Sequence, residues 1–99
     1  MTLVARKLLT IVTEAGLESR LVQDITKCGA KGFTITPSHG HGPKNLRIGD
    51  LEGGNIKLET VLSDSALESC LEMLNEKYIE HYTLTTWVSE VRVLRGDRY

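Results

Sequence analysis

Hydrophobic and polar residues follow strand-like or helix-like patterns in six segments of this chain. Runs rich in β-branched residues and strict alternation indicate strands, whereas apolar residues three or four positions apart indicate helices. The predicted elements are a strand at 8–13, a helix at 17–28, strands at 32–36 and 55–62, a helix that follows the caps Ser63 and Asp64 and runs towards Lys77, and a strand at 85–94. This order predicts a single α+β domain, a ferredoxin-like βαββαβ sandwich in which two helices cover one face of a four-stranded antiparallel sheet.

The residues between these segments supply start and stop signals. Gly29 is expected to end the first helix, since glycine readily adopts the left-handed conformation of a helix end. Pro37 is expected to close the second strand because it has no N–H for a sheet hydrogen bond. Ser63 and Asp64 are both favourable caps for the second helix. The predicted boundaries therefore agree with the hydrophobic pattern.

The sheet face away from the helices is predicted to carry a mixed set of side chains. Its candidates are Thr10, Val12, Lys57, Val61, Val88 and, depending on the register, Trp87 or Leu94. Such a face is too polar for a second core and too apolar to remain fully hydrated. We therefore expect it to pack against copies of the same chain.

The 16 residues 38–53 form a connection much longer than a usual hairpin loop, and long loops in compact domains are often functional. No Asp or Glu occurs between Lys31 and Arg47, and Lys44 adds positive charge inside the connection. Gly40 and Gly42 allow backbone N–H groups to approach a ligand closely. The loop therefore predicts an anion site suited to phosphate, although a flexible glycine-rich loop without a ligand would have the same composition.

Composition and charge exclude several classes of protein. The 99-residue chain has a formal net charge of −1, which disfavours a dedicated nucleic-acid-binding domain. No apolar run approaches the roughly 20 residues that span a bilayer, so direct membrane insertion is not expected. Cys28 and Cys70 are predicted to be buried, reduced thiols of a cytoplasmic protein. The sequence shows no nucleophile elbow, no metal-ligand cluster of convincing spacing and no pair of carboxylates in one apparent pocket, so an enzyme is not predicted.

Four segments together resemble the PII-like signalling proteins. They are 8–14 (LLTIVTE), 29–34 (GAKGFT), 40–47 (GHGPKNLR) and 55–59 (NIKLE), and the similarity extends from about Lys7 to Gly96. Within that superfamily the chain is most similar to the SbtB and carboxysome-associated PII branch. The resemblance implies a cytoplasmic homotrimer that binds adenine nucleotides, namely AMP, ADP, ATP or cyclic AMP, between its subunits. It also implies a bicarbonate transporter or another carbon-concentrating component as the target of the loop, called the T-loop. Bicarbonate is a candidate co-ligand because its charge suits the same basic loop.

The resemblance also assigns residues to the nucleotide cleft. The phosphates are expected to contact the base of the T-loop, at Gly40, His41, Gly42, Lys44 and Arg47. The cleft walls are expected to contain Thr13, Glu14, Gly32, Phe33, Thr34, Leu84, Thr85 and Thr86, and Arg92 and Arg95 are expected to add positive charge. SbtB-like relatives have an arginine where Lys44 stands, and a lysine would bind phosphate as a point charge, without the bidentate geometry of arginine.

Two alternatives remain open at this stage. His39 and His41 are two positions apart, so a trimeric metal-binding protein resembling CutA is the second interpretation, although two histidines alone make a poor ligand set. A ferredoxin-like RNA-binding protein is disfavoured because the predicted strands lack paired exposed aromatic residues.

Overall fold

The computed structural model describes residues 2–39 and 54–99, and it has the predicted ferredoxin-like architecture. The elements are β1 (Val4–Glu14), α1 (Glu18–Lys27), β2 (Thr34–Ser38), β3 (Asn55–Leu62), α2 (Asp64–Lys77) and β4 (Leu84–Val93). The strands form one sheet in the order β2-β3-β1-β4, and every neighbouring pair is antiparallel. The α+β prediction is therefore confirmed.

The core lies between the sheet and the two helices. Leu9 and Ile11 of β1 are fully buried, as are Leu21 and Ile25 of α1. Leu58 of β3 is also fully buried. These side chains alternate along the strands and recur every four residues along α1, so the same periodicity that predicts the elements also brings their apolar faces together.

The predicted limits of β1, α1, β2 and β4 differ from the structure, and two of these differences have a clear physical cause. β1 begins at Val4 and not at residue 8, because the polar residues Arg6 and Lys7 continue the sheet pairing with β4. β2 spans Thr34–Ser38, so the prediction that Pro37 closes this strand is wrong. Since β2 is an edge strand of the described sheet, the missing N–H of Pro37 can face away from β3 without loss of a pairing bond.

The helix ends agree with the local sequence. The hydroxyl oxygen of Ser63 accepts a hydrogen bond from the backbone N–H of Ala66 at 3.3 Å and caps α2. Gly29 follows α1 with a φ of 112°, a conformation that favours glycine. A Cβ at Gly29 would also lie 3.1 Å from the Cβ of Ala66, so glycine permits the close approach of the two helices.

The strand register settles which side chains lie on the face without helices, called here the open face. Thr10 pairs with Trp87, Val12 pairs with Lys57, and all four lie on the open face. Trp87 is 47% exposed there. The placement of Val88 on this face is wrong, because Val88 pairs with Leu9, whose side chain is buried beneath the helices.

The two cysteines differ in burial. Cys70 is fully buried, whereas Cys28 is only half-buried, so the expectation of burial holds for one of the two; both are free thiols. Desolvation, together with the neighbouring Cys28, raises the pKa of Cys70 to about 12.

Within residues 2–39 and 54–99, no helix is long and apolar enough to cross a membrane.

Candidate functional site

The long connection is anchored at one end of the sheet, called here the loop end. Ser38, the last residue of β2, pairs with Asn55, the first residue of β3, and Asn55 pairs with Glu14 at the end of β1. The predicted phosphate contacts lie outside the described residues: Gly40, His41, Gly42, Lys44 and Arg47. Their roles remain predictions, but both attachment points of the loop are defined.

Thr13 and Leu84 pair with each other at the loop end. The side chain of Thr13 is fully buried, and its hydroxyl donates a hydrogen bond to the carbonyl of Thr83 at 2.9 Å. Glu14, the next residue, is half-buried. In this protomer Thr13 therefore holds the start of β4 in position, and a direct contact between its hydroxyl and a ligand would require that hydrogen bond to break.

Thr85 and Thr86 point to opposite faces of β4. Thr85 is exposed and pairs with Val12 on the open face. Thr86 lies on the helix-covered side, where its hydroxyl donates to the carbonyl of Thr10 at 2.8 Å. Of these two predicted wall residues, only Thr85 presents its side chain to the open face.

A groove further along the sheet contains the three predicted residues that precede and begin β2. Its lining is Leu8, Gly32, Phe33, Thr34, Glu59, Thr60, Val61 and Tyr99. The hydroxyl of Thr60 donates to the carbonyl of Gly32 at 2.6 Å and so fixes the backbone on one side of the groove. Phe33 is 45% exposed, so part of its ring is accessible to a ligand in the groove. We call this feature the Phe33 groove.

The two predicted arginines lie at the end of the sheet opposite the loop end. Arg92 is exposed and pairs with Ala5, eight residues before Thr13 in β1. At about 3.4 Å per residue, the Cα atoms of Arg92 and Thr13 are about 27 Å apart. Arg95 follows β4 in the left-handed conformation, with a φ of 58°.

Arg92 also lines a charged surface groove with Lys7 and Glu90. The ammonium of Lys7 and the carboxylate of Glu90 are 2.5 Å apart. This hydrogen bond to Lys7 lowers the pKa of Glu90, so the carboxylate is ionised at neutral pH and offsets part of the positive charge near Arg92.

Sequence reasoning missed two further residues near these features. Asn55 is 5% exposed, and neither its amide nitrogen nor its carbonyl oxygen has a hydrogen-bond partner among the residues that the structure describes. Tyr99 lines the Phe33 groove although it is distant from it in the sequence. A polar residue at the start of a strand gives no signal of burial, and a tyrosine after the last strand gives none of its location.

The metal-binding alternative rests on His39 and His41. His39 is exposed directly after β2, and His41 lies outside the described residues. Across residues 2–39 and 54–99, no group of three or more His, Cys, Asp or Glu side chains is arranged to hold a metal ion. The alternative therefore remains a prediction about the 38–53 segment alone.

A family model described as nitrogen regulatory protein P-II matches residues 6–98 of the chain. The protein therefore belongs to the P-II family, and it is a PII-like signalling protein.

Solved structures of similar proteins agree with this assignment. A PII-like signalling protein from Thermus thermophilus is 45% identical, with coverage of 100% of this chain and 99% of that chain and a TM-score of 0.86. CPII from Thiomonas intermedia, bound to ADP and bicarbonate, is 21% identical, with coverage of 98% and 96% and a TM-score of 0.87. The GlnK–ATP complex of B. subtilis is 23% identical, with coverage of 88% and 82% and a TM-score of 0.65. The last two likenesses concern the fold alone.

Proposed function

We propose that this protein is a homotrimeric sensor that binds an adenine nucleotide (AMP, ADP, ATP or cyclic AMP) between subunits. In this proposal residues 38–53 form the signalling loop, and Lys44 and Arg47 contact the phosphates. The protein is cytoplasmic and belongs with the SbtB and carboxysome-associated branch. It regulates inorganic-carbon uptake or fixation and needs no enzymatic activity.

The main support for this proposal is that the candidate residues lie at different ends of the sheet. Glu14 and Thr85 lie at the loop end, whereas the Phe33 groove and Arg92 lie further along the sheet or at its opposite end. One small ligand cannot contact both ends of a single protomer across about 27 Å. A second copy, with its far end beside the loop end of the first, would bring the two sets together.

The open face supports assembly into such a trimer. The large apolar side chain of Trp87 is 47% exposed on this face, to which the half-buried Val12 and Val61 also belong. An exposed apolar patch of this kind usually marks an interface. Packing three open faces together would bury it and would create three equivalent clefts, one between each pair of protomers.

The ligand class is supported by the family and by the charge of the loop. CPII has been solved with ADP, AMP and bicarbonate, and GlnK with ATP. In the proposed sensor, nucleotide phosphates draw Lys44 and Arg47 towards the cleft, and the number of phosphates sets which loop surface is presented. Bicarbonate is the proposed co-ligand because its charge suits the same basic loop. A bicarbonate transporter or another carbon-concentrating component is the proposed partner of that loop.

Calorimetric titration tests this function directly. Wild-type protein would be titrated with AMP, ADP, ATP and cyclic AMP, each with and without bicarbonate. The variant Lys44→Ala/Arg47→Ala should lose at least about a hundredfold in affinity for ADP, since each charge-assisted phosphate contact contributes about 1.5–3 kcal/mol.

The matched control is Lys27→Ala/Lys77→Ala, which removes the same number of positive charges from exposed positions in the last turns of α1 and α2. This control should bind ADP as the wild type does. Equal affinities in all three proteins would contradict the proposed phosphate contacts, and a failure of every nucleotide to bind the wild type would contradict the function itself.

A further inference from the structure

The residues after β4 cross the open face of the sheet. Arg95 turns the chain in the left-handed conformation, and a 3₁₀ turn follows at Gly96–Arg98. Gly96 then lies against Val4 of β1, and Tyr99 reaches the groove that contains Leu8 and Val61. In the sheet, β1 and β3 lie between β4 and β2. Residues 95–99 therefore run from the β4 edge of the open face to the Phe33 groove, which lies near the β2 edge.

This crossing is fixed at Gly96 by two contacts. The guanidinium of Arg6 donates a hydrogen bond to the carbonyl of Gly96 at 2.8 Å and a second one to the carbonyl of Ala5 at 2.7 Å. Gly96 is also buried so tightly that an added Cβ would lie 2.8–2.9 Å from the side chain of Val4. The hydrogen bond and the close packing at Gly96 therefore help to fix the position of Tyr99, although Asp97 and Arg98 between them are exposed.

The Phe33 groove has the chemistry of a site for a flat heteroaromatic group. Phe33 and Tyr99 contribute two aromatic rings, Leu8 and Val61 contribute apolar surface, and Glu59 contributes hydrogen-bond acceptors. In residues 2–39 and 54–99, Tyr78 and Tyr82 form the only aromatic pair, so Phe33 and Tyr99 do not stack on each other. Both rings are therefore available to a third planar group.

We propose that Tyr99 contacts the base of the bound nucleotide in the Phe33 groove, and that Arg6 and Gly96 act as positioning residues for it. This inference rests on the proposed function, because it assigns the base of the same ligand whose phosphates meet the loop. A tyrosine ring that stacks on the flat face of a base stabilises binding of that base and makes no contact with the phosphates. Tyr99 therefore contributes to binding of the base and not of the phosphates.

The test compares ligands with and without a base. ADP and AMP would be titrated against the wild type, Tyr99→Phe and Tyr99→Ala, and inorganic pyrophosphate and ribose 5-phosphate would serve as base-free probes. Tyr99→Ala should lower the affinity for ADP and AMP about tenfold, which is within the range measured for loss of one base-stacking ring. Tyr99→Phe keeps the ring and should retain wild-type affinity, and the base-free probes should bind all three proteins equally.

The positioning role has its own matched pair of variants. Gly96→Ala places a methyl group against Val4 and should displace Tyr99, whereas Gly16→Ala has open space around the new methyl group. We expect Gly96→Ala to lose affinity for ADP and AMP but not for pyrophosphate, and Gly16→Ala to lose neither. Thermal unfolding of each variant would show that the domain remains folded.

The outcomes separate this inference from the proposed function. If the wild type binds ADP and Tyr99→Ala binds it equally well, the role of Tyr99 is wrong and the sensor function stands. The role is also wrong if Tyr99→Ala weakens ADP and pyrophosphate by the same factor. If the wild type binds no adenine nucleotide, the proposed function and the base contact both fail.

Discussion

The strongest test of a shared cleft combines two defective variants in one assembly. The first variant, Lys44→Ala/Arg47→Ala, lacks the proposed loop contacts. The second, Arg92→Ala/Arg95→Ala, lacks the proposed contacts at the opposite end of the sheet. If each site takes its loop residues from one protomer and its arginines from a neighbour, some sites in mixed trimers regain both sets.

The dimensions of the sheet favour two protomers as the sources of the two sets. Arg92 pairs with Ala5, nine residues before Glu14, which lies at the level of Ser38. This separation along the strands, together with three strand spacings across the sheet, puts the Cα atoms of Ser38 and Arg92 about 34 Å apart. Lys44 is six residues beyond Ser38, so its Cα could approach Arg92 only with the intervening chain fully extended along the sheet, over about 21 Å. A neighbouring protomer can supply the arginines without this extension.

The expected recovery follows from random assembly. In trimers formed from equal amounts of the two variants, a site is intact when its loop comes from the second variant and its arginines come from the first, which occurs for about one quarter of the sites. The assay is calorimetric titration with ADP after co-refolding of differently tagged variants, with double-tag purification to establish mixing. Each variant alone and an unexchanged mixture of the two are the controls.

A specific result would refute this reasoning. If mixed trimers form but recover no ADP sites, the loop and the arginines do not belong to one cleft between neighbours. ADP binding by the Arg92→Ala/Arg95→Ala variant alone, with wild-type affinity, would instead remove the arginines from the site.

Two further predictions concern the protomer itself. The hydroxyl of Tyr78 is buried and donates to Asp24 at 2.6 Å. Tyr78→Phe should therefore lower the free energy of unfolding by about 1–2 kcal/mol, whereas Tyr82→Phe, whose hydroxyl is at an exposed contact, should lower it by about 0.5 kcal/mol or less. Denaturant titration measures both, and equal losses would contradict the assigned hydrogen bond. Burial raises the pKa of Cys70 from 9.0 to about 12, so the folded state retains a proton that the unfolded state loses, and the free energy of unfolding should fall as the pH rises through this interval. Cys70→Ala should show a shallower fall over the same pH range, and an unchanged slope would contradict the shift.

The sheet and helices could be predicted from the sequence because their periodicity is local and strong. The limits of β3 and the cap at Ser63 agree with the structure, since alternation and capping both act within a few residues. The start of β1 was missed because Arg6 and Lys7 do not alternate with apolar residues, yet they pair with β4. Pro37 was misjudged because its effect depends on whether its strand lies at an edge, which only the sheet order decides.

The candidate site was less predictable because it depends on register and on residues distant in the sequence. Phe33 and Thr34 could be singled out, but Tyr99 joins their groove only through the crossing held by Arg6 and Gly96. The burial of the Thr13 side chain also depends on a partner 70 residues away, the carbonyl of Thr83. Local patterns contain no signal for such contacts.

In the proposed arrangement, assembly and ligand binding stabilise each other. The surface that would bury Trp87 between protomers also sets the distance from the loop of one protomer to the groove of the next. A nucleotide bound across that interface favours the trimer over separate protomers, by about 2.7 kcal/mol per site at a ligand concentration of one hundred times Kd. A polar substitution of Trp87 should therefore weaken nucleotide binding at low protein concentration although the side chain need not touch the ligand, and high protein concentration should restore it. A sensor built in this way responds to its ligand through a change at the contact between copies, since neither copy holds the whole site.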